Sequence, residues 1–488
     1  MTFAMLKLAA ASPEVLVLVG ACAILMVDVF RTQEKNTKKG AEGAVLTYWL
    51  SLILLFLGAF VTFLGFGKHT GLALNGYFLK DSLGDLLKLF IYLAAFVTFV
   101  YSRDYLRERG LLTGEFFVLA LFSVLGMLVL VSASSFLTVF LGLELMSLPL
   151  YALIALDRDS ATASEAAMKY FVMGAIATGM LLYGMSMLYG ATGSLDLGKV
   201  SEAVRHGDQK HIVLVFGLVF MVVGVAFKLG AVPFHMWLPD VYQGSPTPVT
   251  LFLSAAPKLA AFAMLLRLFM GALEPLAVEW QQMLAILAVL SMAVGNVIAV
   301  SQTNLKRMLG YSAIAHVGFL FLGMLATNPQ GYSAALFYMI TYSLMSLASF
   351  GVILLLSRLG FEADRVEDCK GLGERSPWFA AVMAVVMLSM AGVPPFLGFW
   401  AKWEVLRTAV DAGHVSLALV AVAFSVIGAW YYLRVIWFMY FEKAQDTAPL
   451  VPTVGMGVLL SANALALLYL GLFPSSLMAV CVLVMGAH

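Results

Sequence analysis

Apolar residues gather along this chain in blocks of about 20, the length a helix needs to cross the hydrocarbon core of a bilayer. Fourteen such blocks can be read, near 13–30, 46–66, 82–101, 115–132, 135–156, 166–189, 211–240, 248–270, 280–300, 305–325, 332–357, 377–408, 415–441 and 454–473. Two of them, 211–240 and 377–408, run to about 30 residues, longer than a straight span requires. Pro233 falls inside the first, and the pair Pro394-Pro395 inside the second. Proline in a helix interior removes a hydrogen bond and frees carbonyls that lipid cannot satisfy. Each long block is therefore expected to form two half-helices around an unwound step.

Interrupted helices at corresponding positions of two halves point to a transport site. Taking spans 4–8 and 9–13 as the halves puts a break in the fourth span of each. Five spans is an odd number, so the second half starts from the opposite membrane face and the repeat is inverted. The expected fold is an all-α membrane protein with about 14 transmembrane helices and two inverted five-helix repeats. The corresponding segments are an N-terminal three-helix extension (1–110), a first repeat (111–275), a second repeat (276–445), and the last span with its tail (446–488). The tail after Pro474 is short enough to lie at the interface.

Charge sets the orientation. Alternate loops divide the lysines and arginines into one set of fifteen, which includes Lys35, Lys38, Arg103, Lys306 and Arg365. The other set, of seven, includes Lys7, Lys80, Lys199 and Lys210. The richer set is expected on the cytoplasmic side, which puts both termini on the far face. The first block is flanked by basic residues but followed by no clear small-residue cleavage site, which suits a retained span better than a signal peptide. The chain is 62% hydrophobic and 12% charged, with a formal net charge of +1, and so carries no nucleic-acid footprint. Its three cysteines form no Cys-x-x-Cys pair, and neither a Gly-x-Gly-x-x-Gly fingerprint nor a Walker loop occurs. No nucleotide, metal or redox centre is expected in this chain.

What remains is a small set of ionisable residues at membrane depth. Glu144 lies about nine residues into its block, followed by Pro149, which should kink the helix. Lys228 precedes the first break by five residues, Lys258 sits mid-span after Pro257, His316 lies near the middle of its block, and Lys402 follows the second break. A charged residue at the bilayer centre costs roughly 2.5–3.5 kcal/mol on insertion scales, and such residues mark ion pathways. Burial favours the neutral form of a lysine and a neighbouring carboxylate the charged form, so a row of such groups can pass protons. A lone intramembrane lysine is also compatible with a structural ion pair, and a lone histidine with a satisfied core position. Lys88, Arg267, Arg434 and Asp28 lie nearer span ends, where snorkelling accounts for them.

The stretch from Lys228 through Pro239-Asp240-Val241-Tyr242-Gln243-Gly244-Ser245-Pro246-Thr247-Pro248-Val249-Thr250 to Pro257-Lys258-Leu259 resembles the antiporter-like membrane subunits of bacterial NADH-quinone oxidoreductase, respiratory complex I. Within that family the wording is closer to the subunit N group than to the L or M groups. The chain runs out near the fourteenth span, without the long lateral helix of the L group, and Lys402 stands where the M group carries a glutamate. The resemblance implies that Glu144 pairs with Lys228 in a first half-channel, and that Lys258 and His316 connect it to Lys402 in a second. Lys169 matches a lysine the family carries in its sixth span.

The implied function is a proton-translocating subunit of NADH:quinone oxidoreductase in the bacterial inner membrane. It implies no cofactor in this chain, with NADH, FMN, iron–sulfur clusters and quinone on partner subunits. Partners would be neighbouring antiporter-like and small membrane subunits, and phospholipids. The rival reading is a subunit of a multi-subunit cation/proton antiporter, because fold alone does not settle activity.

Overall fold

The computed structural model describes residues 8–32, 37–68, 70–206, 211–444, 450 and 452–486. Lys7, Lys35 and Lys210, counted in the charge bias, lie outside the described residues. The apolar blocks are helices: α1 (Ser12–Thr32), α2 (Thr37–Leu64), α3 (Ser82–Glu108), α4 (Gly114–Val131), α5 (Phe136–Ile154) and α6 (Ala161–Thr192). A short amphipathic α7 (Leu197–His206) precedes α8 (His211–Leu229), α9 (Trp237–Gly244) and α10 (Thr247–Leu266), which continues as a π-helical turn at Arg267–Ala272. Then come α11 (Ala277–Ser301), α12 (Leu305–Leu325), α13 (Pro329–Leu356), α14 (Pro377–Ala391), α15 (Leu397–Asp411), α16 (Val415–Phe441), α17 (Val454–Leu472) and α18 (Ser475–Gly486). A two-stranded antiparallel hairpin, β1 (Gly71–Ala73) and β2 (Phe78–Lys80), links α2 to α3.

Thirteen of the described helices are long and apolar enough to cross a membrane. The block at 377–408 forms two short helices, α14 and α15, and the block at 211–240 is likewise divided into α8 and α9. Both long spans are thus broken. The tail after Pro474 forms α18, which packs along α13 and buries Cys481 and Val484 fully. Its apolar residues find a helix to cover them, which twelve residues read alone do not reveal.

The chain forms two compact units. The first contains Met1–Phe99, Arg109–Val225 and Ala256–Trp280. Within it α4 and α5 make the closest helix pair, because glycine on each lets the backbones meet. Gly126 faces the backbone of Met146, Gly142 faces that of Leu130, and the Ser123 hydroxyl donates to the Met146 carbonyl at 2.9 Å. Between apolar helices in lipid, such close approach is the main source of attraction. The capping box of Ser135 and Thr138 fixes where α5 begins.

The second unit contains Val100–Glu108, Ala226–Ala255 and Gln281–His488. Its centre is α12 and α13, buried along almost their whole length. They begin at Asn304 and Asn328, whose side chains accept from the Arg307 and Gly331 backbone amides. Helix α15 packs against both, and α14, α16 and α17 close around it.

Snorkelling does not describe the charges near span ends. Lys88 is buried and pairs with buried Glu14 at 2.6 Å. Arg267 holds Asp81 in a two-pronged bridge, one arm at 2.7 Å, and donates from Nε to the Val131 carbonyl at 3.0 Å. Thr47 donates to buried Asp28 at 2.9 Å, and Arg434 donates to the carbonyls of Val300 and Gln302. Position along a span gives depth. The partner comes from another helix, so it cannot be read from the span itself.

Candidate functional site

The two breaks end their first half-helix in the same way. Helix α8 stops at Leu229, and Gly230 turns left-handed at φ +83°. Gly230 and Ala231 donate back to Phe227 and Ala226 in a Schellman arrangement. Helix α14 stops at Ala391, and Gly392 turns left-handed at φ +85°. Gly392 and Val393 donate back to Ser389 and Leu388 in the same pattern. A side chain at either glycine would strain this conformation. The Val232-Pro233 and Pro394-Pro395 peptide bonds that follow are cis, and all three prolines are exposed.

Serine hydroxyls satisfy the amides that the unwinding releases. Ser291 accepts from the Val232 amide at 3.0 Å, and Ser389 accepts from the Gly398 amide, in the first turn of α15, at 3.1 Å. In the first break the Trp237 indole donates to the Phe227 carbonyl at 2.9 Å. In the second, the Lys402 ammonium does the equivalent work. It donates to the Ala391 carbonyl at 2.9 Å and to the Ser425 hydroxyl at 3.0 Å. Ala391 is the last residue of α14, so this cation sits at the negative end of a helix dipole. Lys228 occupies the last turn of α8, also near such an end, and is buried.

Helix α12 connects the second break to a polar centre. Lys402 lies 5.1 Å from the ring centre of Phe319, and Phe319 stacks on Tyr338 at 6.3 Å. Phe319 is three residues after His316, which puts both on one helix face. The His316 Nδ1 atom is 2.6 Å from the Tyr338 hydroxyl, and Nε2 is 3.2 Å from that of Tyr432. Tyr432 also bonds the Ser312 hydroxyl, packs on Tyr431 at 4.2 Å, and Tyr431 donates to the Asn296 amide oxygen at 3.1 Å. Every member of this network is buried. Its hydroxyls and imidazole can each both donate and accept, the property a proton-carrying chain requires.

The remaining sequence candidates are distributed as follows. Lys228, His316 and Lys402 belong to the second unit, whereas Glu144, Lys169 and Lys258 belong to the first. Lys258 is fully enclosed in α10, a helix with every position buried. Glu144 is half-buried on α5. Lys169 is half-exposed and pairs with Glu165 one turn earlier on its own helix at 2.7 Å. Within the second unit α12 brings His316 towards Lys402 through Phe319.

Tyr338, Tyr432, Tyr431, Ser312, Asn296 and Ser425 escape a search confined to ionisable residues. The signal that could have found them is the presence of hydroxyl and amide side chains in otherwise apolar spans, where each needs a partner.

Residues 133–428 match the family model described as NADH:quinone oxidoreductase/Mrp antiporter, TM. NADH-quinone oxidoreductase subunit N of Thiobacillus denitrificans is 56% identical over 486 residues, covering 100% of this chain and 99% of that protein. A chain of respiratory complex I from Thermus thermophilus is 33% identical with a TM-score of 0.81, over 96% of this chain and 98% of that one. A chain of the Mrp complex from a Dietzia species has a TM-score of 0.83 at 19% identity, over 98% and 97%, a likeness of fold alone.

Proposed function

The chain belongs to the subunit N family of NADH-quinone oxidoreductases, and from that premise we propose that protons cross it along a row of buried Glu, Lys and His side chains. It is a multi-pass, proton-translocating membrane subunit of that enzyme, and it works beside other complex I subunits.

In this reading Glu144 and Lys228 form the first half-channel and Lys402 terminates the second. Lys258 and His316 join the two, and Lys169 belongs to the same relay. The repeats are 111–275 and 276–445, with 1–110 and 446–488 outside them. The membrane is the bacterial inner membrane, with both termini on its periplasmic side. NADH, FMN, iron–sulfur clusters and quinone act on partner subunits, and neighbouring antiporter-like and small subunits flank the chain.

The observation that carries this reading is the matched pair of breaks. Each ends a half-helix at a left-handed glycine, and each has a buried lysine at or near the released carbonyls. A lysine held there exchanges its proton when a nearby negative charge moves away, because desolvation then favours the neutral amine. The Tyr338–His316–Tyr432 cluster offers hydrogen-bonded steps on the way to Lys402.

The test is the purified complex carrying Lys258→Ala, reconstituted in liposomes. Assembly should persist while NADH-driven proton uptake and the coupled quinone reductase rate fall. Pumping at the wild-type proton-to-electron ratio would remove Lys258 from the row. Glu144→Ala should also impair pumping, and Glu144→Asp should impair it less, since the charge is retained.

A further inference from the structure

A cavity of about 830 Å³ opens in the first unit where the end of α1 meets the start of α4. That volume is in the range of small-molecule sites. Its walls divide by chemistry. Leu25, Val29, Leu119 and Phe122 form an apolar trough along α1 and α4, and Asp28, Glu115 and Arg158 gather at its polar end. Leu25 and Val29 are more than a third exposed, so the trough is open sideways along the span.

The polar end is built for a group that carries both signs. Asp28 is buried, held by the Thr47 hydroxyl at 2.9 Å, and its carboxylate lies against Gly114 at the first turn of α4. A side chain at Gly114 would occupy that place. Glu115 and Arg158 form an exposed pair at 3.3 Å on the rim. Thr113, the cap residue of α4, also lines the cavity and makes no side-chain cap bond. Arginine favours phosphate, and carboxylates favour an amine.

We propose that this cavity is a binding site for one phosphatidylethanolamine molecule. Its acyl chain lies in the trough between α1 and α4. The phosphate meets Arg158 on the rim, and the primary ammonium donates to Asp28 and Glu115. The headgroup class follows from the charges. An anionic glycerol headgroup would bring no cation to two carboxylates. A choline headgroup brings a cation with no N–H to donate. A protein segment would need a basic and an acidic side chain in the same order at the end of an apolar run.

The experiment uses the whole purified complex in nanodiscs doped with photoactivatable phosphatidylethanolamine, phosphatidylcholine or phosphatidylglycerol of identical chains. Labelled peptides are mapped by mass spectrometry. The ethanolamine lipid should label the Leu25–Val29 and Leu119–Phe122 stretches at least fivefold more than the other two. Asp28→Asn should abolish that preference, and Arg158→Ala, an exposed change that leaves the fold intact, should lower it. Ala44→Trp, which fills the cavity wall, should remove labelling by all three. Equal labelling by the three lipids, or a preference unchanged by both Asp28→Asn and Arg158→Ala, would overturn the proposal. So would these stretches crosslinking to a neighbouring subunit in place of lipid.

Discussion

Lys402 offers the sharpest separation between a structural cation and a proton carrier. Its ammonium makes hydrogen bonds at 2.9 and 3.0 Å and lies 5.1 Å from the centre of an aromatic ring. Hydrogen bonds from a charged group are worth about 1.5–3 kcal/mol each, and a desolvated cation–π contact about 2 kcal/mol. A cation at a partly buried helix C-terminus adds up to about 2 kcal/mol. Against these stands the cost of removing an ammonium from water, several kcal/mol even after relaxation. These contacts offset that cost.

Lys402→Met removes both sides of that balance at similar volume. What is left is the Ala391 carbonyl without its donor, a penalty of about 1–3 kcal/mol. The complex should therefore assemble, and its thermal unfolding should shift only modestly. Lys402→Arg keeps the cation and its hydrogen bonds but never releases a proton in the physiological range. A structural cation predicts that Arg rescues what Met loses. A proton carrier predicts that both variants lose NADH-driven proton uptake, measured by a pH-sensitive dye in proteoliposomes alongside NADH oxidation. Wild-type pumping by the Lys402→Arg complex would refute the reasoning, as would a Lys402→Met chain that fails to assemble.

Other outcomes follow from the same geometry. Tyr338→Phe and Tyr432→Phe each remove one hydrogen bond to His316 at a stability cost of about 1 kcal/mol; each should slow pumping without disrupting assembly, and unchanged proton uptake by the double variant would take the tyrosines out of the path. Gly230→Ala and Gly392→Ala force a β-carbon into the left-handed region, for about 1–2 kcal/mol each. In Gly392→Ala the new carbon also meets the Lys402 stem at 2.8 Å, and thermal denaturation of each variant measures its cost. Lys88→Met leaves Glu14 buried and unpaired and should destabilise by about 3–5 kcal/mol. Adding Glu14→Leu should restore assembly, scored by the yield of intact complex on native gels; no recovery would mean that the pair does more than neutralise itself.

The fold was legible to the extent that it follows from solvent. Lipid requires about 20 apolar residues per crossing and forbids unpaired backbone, so block lengths and the three prolines were enough to locate the long apolar helices and both breaks. The site was legible only where a residue is conspicuous by type. Lys228, Lys258, His316 and Lys402 stand out because charge at depth is costly. Tyr338, Tyr432 and Ser425 carry no such cost in sequence, and they acquire a role only when α13 and α16 deliver their hydroxyls to His316 and Lys402. Asp81 and Arg267 are 186 positions apart, and Glu14 and Lys88 are 74 apart, so neither pair could be inferred from depth along a span. The sequence by itself thus determined which segments enter the membrane and which helices must break, because those answers depend on local composition against a fixed solvent. The tertiary structure alone decided which polar group meets which, because in an apolar solvent each buried group must take its partner from whichever helix packing brings within hydrogen-bond reach.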